Sequence, residues 1–165
     1  MKKLKRAVGP WVDKDSFWNR DRELADLIEM LEEGANILIT APRRIGKTSL
    51  IREAGNRLED RYSCLQLDLQ KSRSPADMIT ALSVATRSHV NLWKRTKEAF
   101  KNFISSTTDN IDSLNINDLT IKFRDGLLSG WQDKGDRLVG AIAASEPPAI
   151  IFMDEFPLLV NRLLK

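Results

Sequence analysis

The chain has 165 residues, 42% of them apolar and 30% charged, with a formal net charge of +3, the proportions of an ordinary globular domain. No run reaches the roughly 18 to 20 apolar residues that cross a bilayer, and the basic start (Lys2, Lys3, Lys5, Arg6) lacks the apolar core of a secretory signal, so membrane and secreted classes are excluded and a cytoplasmic protein is expected. The single cysteine, Cys64, excludes an internal disulfide, and the single histidine, His89, has no second histidine or cysteine beside it to suggest a metal site. Nucleic acid stays open as a partner without being signalled, because no basic stripe interleaved with aromatics accompanies the small positive charge.

Residues 1–16 read as an N-terminal tail, and one domain is expected over 17–165. The spacing of Leu24, Leu27, Ile28 and Leu31 predicts an amphipathic helix, with Asn19 or Asp21 as its cap and Gly34 as its stop. Asn36-Ile37-Leu38-Ile39-Thr40 predicts a short buried strand. A second helix, from about Gly46, carries Leu50, Ile51, Ala54 and Leu58 on one side. Tyr62 to Leu69 reads as a strand with Cys64 buried in it. Ser74-Pro75-Ala76-Asp77 has the form of a capping box with proline at the first helical position, and the helix it opens turns Met78, Ile79, Leu82 and Ala85 inward.

An insert of a helix plus a small hairpin is expected at about 90–130. The helix runs from His89 to about Ile104, with Trp93, Ala99, Phe100 and Phe103 as its apolar side. The hairpin comes from the alternation of apolar and polar residues on either side of Asn117-Asp118. Leu138, Val139 and Ile142 predict another helix, stopped by Pro147-Pro148, and Ala149 to Met153 a buried strand that runs into Asp154-Glu155. Strands alternating with helices predict an α/β fold with a largely parallel sheet covered by helices on both faces.

The chemistry concentrates in two places. Ala41-Pro42-Arg43-Arg44-Ile45-Gly46-Lys47-Thr48 fits the frame G-x-x-x-x-G-K-[ST], with alanine at the first glycine position. In such a loop the backbone N–H groups wrap phosphates, and the following helix turns its positive end toward them. Pro42, Arg43, Arg44, Ile45, Gly46, Lys47, Thr48 and Ser49 are the candidate nucleotide-binding residues. Lys47 is expected on the β and γ phosphates and the Thr48 hydroxyl on Mg²⁺. Alanine can replace the first glycine provided its φ is not positive. The second place is the end of the last strand, where Asp154 is the candidate ligand to Mg²⁺ through water and Glu155 the candidate group that polarises the water attacking the γ-phosphate.

Taken together, Phe17 to Leu27, Ala41 to Leu50 and Ile150 to Phe156 resemble the archaeal-type P-loop ATPases of the STAND and AAA-like group, over roughly Phe17 to Leu159. The resemblance implies a P-loop NTPase-type sheet, ATP or ADP with Mg²⁺ as ligands, and hydrolysis that drives attached modules. It implies that Val8 to Arg20 lies over the adenine, with Trp11, Phe17 and Trp18 as candidate walls. It also implies an incomplete sheet, because the strand that follows the acidic motif in that group inserts between the loop strand and the acidic-motif strand. Further domains or protein partners would complete it. A non-hydrolysing nucleotide-binding or interaction module is the competing reading, and a small-molecule kinase using the same loop is a weaker third.

Overall fold

The computed structural model describes residues 20–42, 44–100, 115–126 and 130–164. Two compact units divide the chain, Met1–Cys64 and Leu65–Lys165. None of the described helices is long and apolar enough to cross a membrane.

The first unit holds α1 (Asp21–Glu32) and α2 (Lys47–Leu58). Leu24 and Leu27 of α1 are buried, and so are Leu50, Ala54 and Leu58 of α2, the helical spacing that lines one face for packing. Arg61 pairs with Glu32, and Arg57 holds Glu53 at 3.1 Å. Gly34, the expected stop of α1, follows the helix in a left-handed turn at φ 78°. The cap expected at the other end is not Asp21, which lies within the helix, and Asn19 is outside the described residues. Arg20 occupies the cap position and offers no side-chain acceptor.

The expected strand over Asn36 to Thr40 is a correction. The segment is irregular and belongs to no sheet among the described residues. Ile37 and Ile39 are half-buried, while Leu38 is 72% exposed. Apolar alternation prepares a segment for a ladder, but only a neighbouring strand makes it one.

The second unit is a mixed α/β assembly. β1 (Ser63–Asp68), whose first two residues fall before the boundary, runs parallel to β2 (Ala149–Asp154) in a two-stranded sheet, and beyond it Leu69 N–H donates to Asp154 O at 3.1 Å. Leu65, Leu67 and Leu69 are buried on one side of β1, whereas Gln66 and Asp68 on the other are exposed, so this strand is covered on one face rather than both. Cys64 shares that second face and is half-buried, not buried as expected. Partial burial, with the Glu59 charge, pushes its thiol up to about 11, and a thiol protonated at neutral pH is a poor nucleophile.

The helices of this unit are α3 (Pro75–Ala85), α4 (Val90–Phe100), α5 (Ile116–Gly126), α6 (Trp131–Ala143) and α7 (Phe156–Leu163). α3 opens on the capping box read from the sequence: Ser74 Oγ accepts Asp77 N–H at 3.2 Å, and Asp77 Oδ2 accepts Ser74 N–H at 3.1 Å. α4 covers most of the helix expected from His89, while Phe103 and Ile104 lie outside the described residues. The hairpin expected around Asn117-Asp118 is a helix instead. Asn115 Oδ1 accepts Asp118 N–H at 3.0 Å, and Asn115 Nδ2 donates to Asp118 Oδ2 at 2.7 Å. The polar residues that resembled a turn therefore cap α5. Phe123 of α5 is fully buried, edge-on to Trp93 at 6.0 Å and to Phe100 at 5.0 Å, contacts that favour helix over hairpin. Arg162 on α7 donates to Gln70 O and Ser72 O at 2.8 and 2.7 Å, tying α7 to the loop after β1.

Candidate functional site

The loop between Thr40 and α2 has an unusual backbone. Arg44 sits at φ 65° and Gly46 at φ 83°, while Ile45 between them and Lys47 after them are not left-handed. A left-handed residue followed by a right-handed helical one, as at Gly46 and Lys47, turns successive N–H groups toward one side, the kind of concavity that holds anions. Glycine adopts positive φ freely, but a left-handed residue with a β-carbon costs about 1 to 2 kcal/mol, so Arg44 needs compensation.

Two cationic side chains brace the loop on either side of Arg44. Lys47 Nζ folds back to donate to Ala41 O at 2.7 Å and Pro42 O at 3.2 Å, closing the loop on itself. Arg20 Nη1 donates to Ile45 O at 3.1 Å and Gly46 O at 3.4 Å. Ala41 is not among the residues with positive φ, so alanine meets the condition set for it at the first glycine position.

α2 then begins with Gly46 as its cap, without a side-chain acceptor and without an acidic residue in its first turn. The first amides of a helix have no partner within it, and the helix dipole adds positive potential there. Ala41, Pro42, Arg44 and Ile45 are exposed, Lys47 and Thr48 are half-buried and Ser49 is buried. The loop therefore brings Ala41, Pro42, Arg44, Ile45, Gly46 and Lys47 into one cationic, amide-rich turn. Arg43 lies outside the described residues, as do Trp11, Phe17 and Trp18.

The acidic pair belongs to the second unit. Asp154 ends β2 half-buried, and its Oδ1 accepts the Glu155 N–H at 3.0 Å. Glu155 is exposed and caps α7 at φ 59° and ψ 25°. A left-handed glutamate is held only where its surroundings demand it, and such strain concentrates at functional sites. Among the described residues no group of three or more His, Cys, Asp or Glu side chains could hold a metal by itself. Mg²⁺ seldom needs one, since it commonly takes one or two protein ligands together with substrate phosphates and water.

Arg20, expected from the resemblance only as the end of a segment over the adenine, braces the loop instead, a role that sequence reasoning missed. It stands 25 positions from its carbonyl partner on Ile45, and no periodicity or motif spacing connects the two. Comparison with protein-family models, with curated proteins and with solved structures gives no match.

Proposed function

We propose that Pro42 to Ser49 bind the phosphate chain of ATP or ADP, and that the protein is a Mg²⁺-dependent ATPase of the P-loop kind, with the STAND and AAA-like group as its best likeness, working in the cytoplasm. The observation that carries the reading is the left-handed backbone at Arg44 and Gly46, the second leading directly into the first turn of α2 at Lys47. An anion is what that combination suits.

Lys47 is assigned to the phosphate chain. An ammonium has three hydrogens to donate; two serve Ala41 O and Pro42 O, and the third remains for a phosphate oxygen. The Thr48 hydroxyl and the Asp154 carboxylate are the groups assigned to Mg²⁺, which when bound neutralises phosphate charge. Glu155 is assigned the water-polarising role, as a carboxylate that acts in the transition state.

Calorimetric titration with Mg²⁺-ADP tests the binding half. Lys47→Ala should weaken affinity at least tenfold, about 1.4 kcal/mol, a modest loss for a charge-assisted phosphate contact. Equal affinities would defeat the reading. Glu155→Gln tests the chemistry, and is expected to lower kcat strongly with affinity nearly intact. Binding without turnover in the unmodified protein would keep the phosphate site and favour the non-hydrolysing module.

A further inference from the structure

Among the described residues, the hydrogen bonds from Arg20 to the loop go to backbone carbonyls, and those contacts decide where the neighbouring amides point. Across a planar trans peptide, the C=O of one residue and the N–H of the next face opposite ways. Drawing Ile45 O toward the guanidinium therefore turns the Gly46 N–H away from it, and drawing Gly46 O turns the Lys47 N–H away likewise. These two amides belong to the left-handed Gly46 and to Lys47, which opens α2.

The Gly46 peptide is held from two sides. Gly46 O also accepts Leu50 N–H at 3.0 Å, so this peptide is fixed both from within α2 and from Arg20. A β-carbon built on Gly46 would meet Arg20 Nη1 at an ordinary van der Waals distance of 3.7 Å, so it is the left-handed φ, not crowding, that favours glycine there. On its other side the guanidinium donates from Nε to Glu23 Oε1 at 3.4 Å, one turn along α1. The Glu23 carboxyl is held below its usual range chiefly by its backbone hydrogen bond and also by Arg20, so it remains an anion for the guanidinium at neutral pH.

We infer that Arg20 is a positioning residue for the phosphate loop: it holds the Ile45 and Gly46 peptides with the following amides turned into the anion-binding concavity, so that nucleotide meets a preformed site. The inference rests on the nucleotide-binding reading of the loop. It concerns preorganisation, which raises affinity by removing the ordering cost from the binding step.

The test uses the full chain, with Mg²⁺-ADP as probe and with the amide resonances of Gly46 and Lys47 followed before nucleotide is added. Arg20→Gln is expected to shift both resonances in the nucleotide-free protein and to weaken ADP binding roughly tenfold, while thermal unfolding stays cooperative. Arg20→Lys, which keeps the charge and gives up the planar fork, is expected to fall between the two. It serves alone if Arg20→Gln does not fold. Variants that bind ADP as the wild type does, with both resonances unmoved, would overturn the inference and leave the phosphate loop standing. A wild-type titration that is itself flat would overturn the nucleotide reading and this inference with it.

Discussion

At the scale of single residues, the account turns on side chains held in left-handed backbone. Arg44 and Glu155 are the two such non-glycine residues among those described, and neither carries a sequence signal, because any residue type can be forced there by its surroundings. Gly46, by contrast, was legible through the motif frame, and the structure adds that it is left-handed. Arg44→Gly separates backbone from side chain: it should keep ADP affinity within about threefold and leave thermal stability unchanged or raised by up to about 1 kcal/mol, as relief of the left-handed strain outweighs the flexibility gained by the unfolded chain. Arg44→Val should lose binding more heavily, since a β-branched residue is a true outlier at that φ. Calorimetry and thermal unfolding of the two variants decide it, and a glycine variant that no longer binds would show that the Arg44 side chain, not the turn, is what matters. The tolerance of Ala41 for the first glycine position was stated from the sequence as a condition on φ, and the backbone meets it.

At the scale of elements, local chemistry was legible and tertiary choice was not. The Ser74 and Asp77 pair satisfies itself within four residues, so the start of α3 could be read directly. Removing the acceptor by Ser74→Ala should cost about 1 kcal/mol, seen as a lowered thermal midpoint without loss of ADP binding; an unchanged midpoint would mean that Pro75 and the buried face of α3 suffice. The α5 region misled because Asn and Asp serve turns and helix caps equally well. What selects the helix is Phe123 lodged between Trp93 and Phe100, side chains that belong to α4 and cannot be paired with it by reading along the chain. Asn36 to Thr40 misled in the opposite sense. Its composition is that of a strand, but strand identity is conferred by a neighbour, and among the described residues it has none in a ladder.

At the scale of the whole molecule, the α/β alternation in the sequence foretold the class of fold, while the pairing of β1 with β2 joins segments far apart in the chain and was not written in either. The larger apolar core, from Leu65 through Phe123 to Leu159, lies in the second unit, whereas the candidate phosphate loop belongs to the first, beside the smaller set formed by Leu24, Leu27, Leu50, Ala54 and Leu58. Modest local stability is where ligand-binding loops are commonly drawn from, so the effect of nucleotide should be easiest to see there. Amide hydrogen exchange across the full chain, with and without saturating Mg²⁺-ADP, is the most direct measurement. The account predicts rapid exchange at Asn36 to Thr40 in the free protein, slow exchange at Leu65 and Leu67 in both states, and new protection on adding nucleotide concentrated at Arg44 to Ser49. Unchanged exchange at Arg44 to Ser49, or protection confined to another surface such as the cleft lined by Lys94, Arg95, Glu98 and Glu146, would contradict it.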